Sequence, residues 1–271
     1  MPGGHEAIIF RVMVERQSDI PGRKPGDARP PRSAPGRRVY AIGDIHGRFD
    51  LLLKLLTAIR EDTARPAASG GPCTNVLIYV GDYVDRGPES FEVVDYLIHD
   101  PHQGFETVFL KGNHEDLLLR FVDDGVLGET WMMNGGVATL RSYGVDAATV
   151  VDAPDPLDAA RREFAKMLPD SHRTFFKGLK ITHTEGDYVF VHAGLRPGVA
   201  IGKQKEADLL WIRGEFLDSD ADFGAMVVHG HSIRPIPDVQ ANRIGIDTGA
   251  FYTNRLTCLV LDGEERRFLQ T

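Results

Sequence analysis

The sequence has few cysteines and no long hydrophobic run. Only two of its 271 residues are cysteine, too few for the disulfide framework of a small exported protein. No apolar stretch approaches the roughly 20 residues that span a bilayer. The first residues also lack the basic start, long apolar run and small-residue cleavage site of a signal peptide. We therefore expect a cytoplasmic protein with no membrane partner.

Positive charge is also scarce, because 31 Lys and Arg stand against 39 Asp and Glu, for a formal net charge of −8 at pH 7. Residues 16–38 have a positive net charge instead, with seven Lys or Arg and two Asp, and they also contain five Pro and three Gly. That composition cannot bury a core and predicts an extended linker. It could touch nucleic acid or acidic lipid, although a solvated linker is the favoured interpretation.

The rest of the chain, residues 39–271, is more acidic than the whole. Such a surface argues against nucleic acid as the main partner and is compatible with bound cations. The length suits one large α/β domain or two small ones, and no internal repeat divides it. We predict an N-terminal extension over residues 1–38, with an edge strand at 7–14, followed by a single domain over 39–271.

Five short apolar runs, rich in Val and Ile and bounded by Gly, end in polar residues. They are VYAIGDIHG (39–47), NVLIYVGDYVDRG (75–87), TVFLKGNHE (107–115), YVFVHAG (188–194) and AMVVHGHS (225–232). Their length and composition predict β-strands. Each run places its polar group at or just past the carboxyl end of the strand, which is where ligands bind in layered α/β sheets.

Helical spacing of apolar residues at 48–62 and 90–100 separates the first three runs. Alternation of strand and helix predicts a layered α/β sheet with right-handed crossovers. Residues 243–249 and 255–263 are predicted as two further strands that complete a second sheet as a hairpin. Residues 116–180 are predicted as a mostly helical cap. The fold class is therefore an α/β sandwich of two mixed β-sheets flanked by helices.

The polar residues at the five strand ends form one predicted cluster, composed of Asp44, His46, Asp82, Asn113, His192 and His231. Packed together alone, the carboxylates would repel each other, and divalent cations remove that repulsion. Six ligands exceed a four-coordinate zinc site but suit two ions that share a carboxylate and clamp the oxygens of a displacement. Nitrogen and oxygen ligands without thiolate favour Mn, Fe, Zn or Co.

Four further residues stand beside these ligands in the sequence pattern: Asp85, Arg86, His114 and Arg213. An arginine fork matches two phosphate oxygens. A histidine held by an aspartate is a natural general acid for a leaving oxygen. Metal ions, arginines and an acid together indicate hydrolysis of a phosphate ester.

The blocks GDIHG, GDYVDRG, GNHE, HAG and GHS, in that order, resemble the signature of the calcineurin-like metallophosphoesterases. The unbroken DRG and GNHE blocks resemble the phosphoprotein phosphatase branch, the serine/threonine protein phosphatases, and above all its bacterial and phage members. The segments WMMNGG (131–136) and IDTGAFYTNRLTCLVL (246–261) also resemble those prokaryotic enzymes. The resemblance covers residues 39–263.

This resemblance implies two divalent metal ions, Mn²⁺ first, with Fe or Zn as alternatives. Asp44 and His46 would bind the first ion, Asp82 would bridge, and the second would be held by Asn113, His192 and His231. The implied general acid is His114 with Asp85 as its orienting partner, and the implied phosphate ligands are Arg86, Asn113 and Arg213, the last matched through the preceding Trp211. A metal-bridging hydroxide would attack phosphorus in line, without a phosphoenzyme.

Each block also has a plain interpretation. Asp44 could lie in a simple turn, Asp85 and Arg86 could form a surface ion pair, and Glu115 is favoured near a helix N-terminus. His229 is interpreted as structural, because the pattern uses the second histidine of HGH. The plain interpretations would have to hold together at five ordered strand ends, so we favour the site.

Three functions follow from this interpretation. The first is a protein phosphatase acting on phosphoserine, phosphothreonine or phosphotyrosine in a phosphorylated protein or a small phosphoester. The second is a symmetrical bis(5′-nucleosyl)-tetraphosphatase. The third is a non-catalytic module on the same fold, which would need lost ligands, and none is missing from the pattern. The oligomeric state stays open.

Overall fold

The computed structural model describes residues 13–15, 29–100, 102–146 and 150–271. Its strands are β1 (Met13–Glu15), β2 (Arg37–Ile42), β3 (Thr74–Tyr79), β4 (Phe105–Phe109), β5 (Thr182–Glu185), β6 (Tyr188–Val191), β7 (Met226–His229), β8 (Asp238–Val239), β9 (Arg243–Gly245), β10 (Thr257–Asp262) and β11 (Glu265–Gln270). Its α-helices are α1 (Phe49–Asp62), α2 (Ser90–His99), α3 (Asn113–Asp124), α4 (Gly128–Trp131), α5 (Val137–Ser142), α6 (Pro156–Met167), α7 (Asp170–Gly178), α8 (Glu206–Trp211), α9 (Gly214–Leu217) and α10 (Ala250–Thr253). A π-helical turn (Met132–Gly136) joins α4 to α5, and a 3₁₀ turn (Ile201–Lys203) precedes α8.

The first sheet has six strands in the order β1-β11-β10-β2-β3-β4. β2, β3 and β4 are parallel, and α1 and α2 connect them. β10 is antiparallel to β2 and to β11, and β1 pairs with β11 at the edge. The edge strand predicted at 7–14 overlaps β1 in residues 13 and 14, and its earlier residues lie outside the described part of the chain.

The second sheet has five strands in the order β5-β6-β7-β9-β8. β6, β7 and β9 are parallel, while β5 and β8 pair antiparallel at the two edges. The hairpin predicted from residues 243–249 and 255–263 is wrong, because β9 lies in this sheet and β10 lies in the first. All six residues of β10 are buried, and a strand covered on both faces belongs in a sheet interior.

The two sheets pack face to face, and the side chains of β2 show how. Val39 and Ala41 point into the core between the sheets, together with Phe190 of β6 and Val228 of β7. Tyr40 and its neighbours on the opposite face pack against α1, α2 and α3. A sheet covered on both faces has near-continuous apolar strands, which explains why the runs met in the sequence do not alternate. The two-sheet α/β sandwich expected from the sequence is confirmed.

β2 begins at Arg37, two residues before the boundary predicted after residue 38. Four arginines of the predicted linker lie among the described residues, and each is paired with a carboxylate of the globular part. The pairs are Arg29 with Asp187 (3.1 Å), Arg32 with Glu264, Arg37 with Glu106 (2.6 Å) and Arg38 with Asp262 (2.8 Å). Their charges are therefore matched within the chain, which leaves less of the linker's positive charge for nucleic acid.

Helices α3 to α7 lie between residues 113 and 178, and the sequence predicted a mostly helical cap over residues 116–180. α3 ends at Asp124 and is followed by Gly125, whose φ of 77° is the left-handed conformation usual at helix ends. α6 begins after Asp155, whose side chain accepts the Asp158 N–H. In the described part of the chain, no helix combines the length and apolar character needed to cross a membrane.

Candidate active site

The carboxyl ends of β2, β3, β4, β6 and β7 meet at one place. The turns after these strands carry the six predicted metal ligands, and all six side chains are buried: Asp44, His46, Asp82, Asn113, His192 and His231. Three of the strands belong to the first sheet and two to the second. The site therefore lies across the junction of the two sheets, and the chain reaches it from five separate segments.

One group of ligand atoms surrounds Asn113. Its Oδ1 lies 2.8 Å from His192 Nε2 and 2.8 Å from His231 Nδ1. Asp82 Oδ1 lies 3.4 Å from His192 Nε2. Ligand atoms of Asp82, His192 and His231 all fall within 4.8 Å of one another. This is a spacing at which one cation can contact every member of the group.

A second group forms on the other oxygen of Asp82. Its Oδ2 lies 3.5 Å from His46 Nε2 and 3.7 Å from His114 Nε2. Ligand atoms of these three residues also fall within 4.8 Å of one another. Asp44 is bonded to the first group instead, because its Oδ2 accepts the His231 N–H at 2.9 Å. Asp82 is thus the one residue shared by the two groups, as a bridging ligand would be.

Two of the histidines are each fixed in one tautomer by a backbone carbonyl. His46 Nδ1 donates to the Val84 carbonyl at 2.8 Å, and His192 Nδ1 donates to the Val80 carbonyl at 2.9 Å. Each Nε2 therefore turns toward the site, and this second bond is the usual support of a ligating histidine. The neighbouring Asp82 carboxylate raises the pKa of His192 above its usual value, and the protonated Nε2 can donate to the Asn113 oxygen at 2.8 Å.

The electrostatics of the cluster also fit a cation. Burial, followed by the carboxylates of Asp247 and Asp82, raises the pKa of Asp44 well above its usual range. Burial and the neighbouring His192 lower the pKa of His231 to about 2, so its ring is neutral as a ligand must be. Asp44 Oδ1 and His231 Nε2 are buried atoms with no hydrogen-bond partner among the described residues. A buried carboxylate oxygen without a hydrogen-bond donor suits a divalent metal ion.

His114 and Asp85 form a hydrogen-bonded pair beside the ligands. His114 Nδ1 lies 2.6 Å from Asp85 Oδ2, which leaves Nε2 facing the centre. Burial lowers the pKa of His114, but the carboxylates of Asp82 and Asp85 outweigh it and raise that pKa above its usual value. The shift favours the protonated ring, which is the form that a general acid requires.

Asp85 is itself held by residues from the helical segment. Trp131 Nε1 donates to both carboxylate oxygens, at 3.1 and 2.9 Å, and Thr139 Oγ1 donates to Oδ1 at 2.6 Å. The Asp85 N–H donates in turn to Ser90 Oγ and Thr139 Oγ1. Asp85 is fully buried, so it is not the surface ion-pair partner that the plain interpretation allowed.

Both predicted arginines reach the site, in different ways. Arg86 lies in it, with Nη1 3.1 Å from His46 Nε2 and Nη2 3.2 Å from His114 Nε2. Arg213 reaches its edge, where Nη1 donates to the His231 carbonyl at 3.2 Å. The two guanidinium groups therefore approach the ligand cluster from the first and the second sheet respectively.

The backbone at the site is strained in a way that the sequence does not reveal. Five site residues other than glycine have positive φ: His46 (47°), Asp82 (53°), Asp85 (73°), Arg86 (68°) and His231 (61°). Such conformations are costly and collect at functional sites. The turns also need close approach, since a Cβ on Gly230 would lie 2.0 Å from Asp44 Oδ1.

Several residues of the site have roles that the sequence analysis missed. Glu115 is more than a helix start, because its carboxylate accepts the N–H groups of Asp82, Tyr83 and Gly112 at 2.8 to 2.9 Å. Asp247 is buried near Asp44, with Oδ1 accepting the Gly249 N–H. Trp131 and Asp247 lie in the WMMNGG and IDTG segments, and that resemblance was the only signal that could have drawn attention to them.

Known proteins are similar to this chain in sequence and in fold. The sequence model of the family described as calcineurin-like phosphoesterase matches residues 37–235. Serine/threonine-protein phosphatase 1 of Salmonella typhimurium is 36% identical over 229 residues, covering 82% of this chain and 90% of that protein. An asymmetrical bis(5′-nucleosyl)-tetraphosphatase of Anoxybacillus flavithermus is 29% identical over 236 residues, covering 80% of this chain and 88% of that protein.

Comparison with solved structures agrees with the sequence comparison. The crystal structure of a putative diadenosine tetraphosphatase superposes with a TM-score of 0.54 at 23% sequence identity, covering 84% of this chain and 90% of that one. At that identity the likeness concerns the fold. The family match spans most of the chain and contains all five motif blocks, and the relatives are named for phosphoester and phosphoanhydride hydrolysis. The chain belongs to the calcineurin-like phosphoesterases and is a phosphoester hydrolase.

Proposed function

We propose that this enzyme is a serine/threonine protein phosphatase, with phosphotyrosine as a further substrate, that transfers the phosphoryl group directly to water. The observation that carries the proposal is the buried proton donor His114, held by Asp85 and through it by Trp131 and Thr139. A serine or threonine alkoxide is a poor leaving group and needs a proton as its bond to phosphorus breaks. A nucleotide phosphate leaves readily without one.

The proposed metal ligands are those that the strand ends bring together. Asp44 and His46 would hold one divalent cation, Asn113, His192 and His231 the other, and Asp82 both. Two such cations supply an activated water and neutralise charge on the phosphoryl oxygens. Mn²⁺ is the ion we propose, with Fe or Zn as alternatives, because the donors are nitrogen and oxygen without thiolate.

The remaining steps belong to the chain's own side chains. Arg86 and Arg213 would each donate N–H groups to the phosphoryl oxygens, with the Asn113 amide beside them. His114 Nε2–H would give its proton to the leaving alkoxide while the Asp85 carboxylate keeps Nδ1–H in place. The phosphorus–oxygen bond to serine or threonine then breaks, and the alcohol leaves neutral.

A dinucleoside tetraphosphatase is the second candidate. It is supported by the Anoxybacillus flavithermus relative, which aligns over nearly the same length as the protein phosphatase. The sequence analysis gave a symmetrical enzyme as this second function, whereas that relative is named as asymmetrical. Symmetrical cleavage of diadenosine tetraphosphate gives two ADP, and asymmetrical cleavage gives ATP and AMP, so the products identify the type.

The test is to assay phosphoserine, phosphothreonine and phosphotyrosine peptides beside diadenosine tetraphosphate, with Mn²⁺ present. We expect kcat/KM to be higher on the phosphopeptides. A preference for the dinucleotide would overturn the proposal and establish the second candidate. Activity of His114→Asn is the matched control, because its loss on peptides should exceed its loss on the dinucleotide.

A further inference from the structure

Phe251 of α10 contacts the most central arginine of the site. The guanidinium carbon of Arg86 lies over the Phe251 ring, 4.8 Å from its centroid. The same ring meets His46 edge-on, with centroids 5.5 Å apart and planes at 86°. An aromatic face attracts a cation through its quadrupole. Phe251 therefore touches both a phosphate-binding arginine and a proposed metal ligand.

Arg86 is confined from the opposite side by the π-helical turn. Its N–H donates to the Gly135 carbonyl at 3.3 Å. A Cβ on Gly135 would lie 2.8 Å from both Cγ and N of Arg86, and the φ of Gly135 is 105°. The base of the arginine is thus fixed against Gly135, and its charged end lies against Phe251.

α10 is anchored to the turn that carries His46. Arg48, two residues after that histidine, donates through Nη1 to the Ala250 carbonyl at 3.0 Å and to Asn254 Oδ1 at 2.6 Å. Left-handed residues flank the helix on both sides, Gly249 with φ 68° and Asn254 with φ 57°. Phe251 therefore has a fixed position relative to the proposed metal ligands. A fixed position is necessary if its ring is to hold the Arg86 side chain in place.

The hydrogen bonds of Arg86 show why a support is needed. Its Nη1 and Nη2 lie against His46 Nε2 and His114 Nε2. In the proposed function, His46 Nε2 would bind a cation and His114 Nε2 would carry the proton for the leaving oxygen. Neither nitrogen would then accept a hydrogen bond from Arg86. An aromatic face holds the guanidinium without consuming any of its five N–H groups. Those groups then remain available for phosphoryl oxygens.

We propose that Phe251 is a positioning residue of the phosphate clamp, by which we mean Arg86 and Arg213. Its ring face holds the Arg86 guanidinium in the orientation that binds the phosphoryl group. This inference rests on the proposed function, in which Arg86 binds phosphate. It concerns an aromatic residue that the motif blocks do not include, and it predicts dependence on the electronic character of the ring rather than on its size.

The experiment measures the inhibition constant of inorganic phosphate and kcat/KM on p-nitrophenyl phosphate. Phe251→Leu should raise the phosphate constant about three- to thirtyfold, while Phe251→Tyr should stay near wild type. Replacement of Phe251 by 3,4,5-trifluorophenylalanine keeps the shape of the ring and weakens its negative face, so it should weaken phosphate binding too. Metal content should not change. Tyr252→Leu, on an exposed neighbour that meets Phe251 edge-on, is the control.

Arg86→Ala separates this inference from the proposed function. If Arg86→Ala weakens phosphate inhibition but the leucine and trifluorinated variants do not, the role of Phe251 is refuted and the clamp stands. If Arg86→Ala itself leaves the constant unchanged, both are overturned. Equal losses in Phe251→Leu and Phe251→Tyr would also refute the inference, since they would indicate a purely steric role.

Discussion

Asp82 offers one carboxylate oxygen to each of the two ligand groups. Asp82→Asn keeps the size of the side chain but removes the charge that both cations would share. We expect it to lose metal at both positions and nearly all activity, as measured by elemental analysis and by turnover of p-nitrophenyl phosphate. Two ions per chain in the purified variant would rule out the bridging assignment.

His114 is the residue whose importance depends on the leaving group. General acid catalysis contributes roughly 10²–10⁴ in rate, and it matters most when the departing oxygen is basic. His114→Asn should therefore lose most of its kcat on an alkyl phosphate and less on p-nitrophenyl phosphate. Asp85→Asn should behave in the same way but more mildly, with metal content intact. Equal losses on the two substrates would count against the acid role.

Arg213 lies at the edge of the site, bonded to the His231 carbonyl. A hydrogen bond to a charged group is worth about 1.5–3 kcal/mol, so Arg213→Ala should lower kcat/KM roughly ten- to a hundredfold. Phosphate inhibition should weaken in parallel, and Arg213→Lys should restore only part because it lacks the bidentate fork. A wild-type phosphate constant in the alanine variant would leave Arg213 as a support for the β7 turn alone.

At the scale of elements, the sequence was most informative about strand ends. Runs such as YVFVHAG end in their functional residue because a buried strand stops where polar groups begin. That change from apolar to polar residues can be read directly from the amino-acid sequence. The assignment of β10 to a sheet was not predictable in this way, because the sequence of a strand does not identify its pairing partner. β10 pairs with β2 and β9 pairs with β7, and both partners are distant in the chain.

The hydrogen-bond partners of the Asp85 carboxylate could not be predicted from the sequence either. Trp131 and Thr139 lie 46 and 54 positions further along the chain, and nothing in their local sequence indicates a carboxylate partner. Glu115 was misjudged for a related reason, since a glutamate in the first turn of α3 has an ordinary electrostatic explanation. Only the three-dimensional structure shows that it also holds the N–H groups of the Asp82 turn.

The segment α4 to α5 should therefore affect catalysis without touching substrate. Trp131→Phe keeps a buried ring and removes the one N–H that both carboxylate oxygens of Asp85 share. We expect kcat on an alkyl phosphate to fall roughly ten- to a hundredfold, because the lost hydrogen bond was to a charged group, with metal content unchanged. Thr139→Ser retains the hydroxyl and serves as the matched control. An unaltered kcat in Trp131→Phe would mean that Thr139 alone orients the carboxylate.

At the scale of the whole molecule, the proposed metal ligands come from both sheets. Asp44, Asp82 and Asn113 come from the first sheet, and His192 and His231 come from the second. A ligand that binds only the folded state, present at 100 times its Kd, stabilises it by about 2.7 kcal/mol. For a chain of this size that corresponds to a Tm about 5–10 °C higher.

Removal of metal by a chelator should therefore lower Tm by about that amount, and adding Mn²⁺ should restore it. His231→Ala, which loses a ligand from the second sheet, should show a smaller difference between the chelated and metal-loaded states. Scanning calorimetry with and without chelator provides the measurement. An identical Tm in the two states would contradict a cation held between the sheets.

The His231 N–H meets the Asp44 carboxylate across 187 positions of sequence, and this separation has a consequence for biosynthesis. A growing chain exposes its first ligand early, but the last one leaves the ribosome only after most of the protein has been made. Closing so long a stretch of chain also costs conformational entropy, which slows folding. No partly synthesised chain can therefore assemble the complete centre, and an enzyme able to remove phosphate groups from its surroundings remains inactive until the second sheet has joined the first.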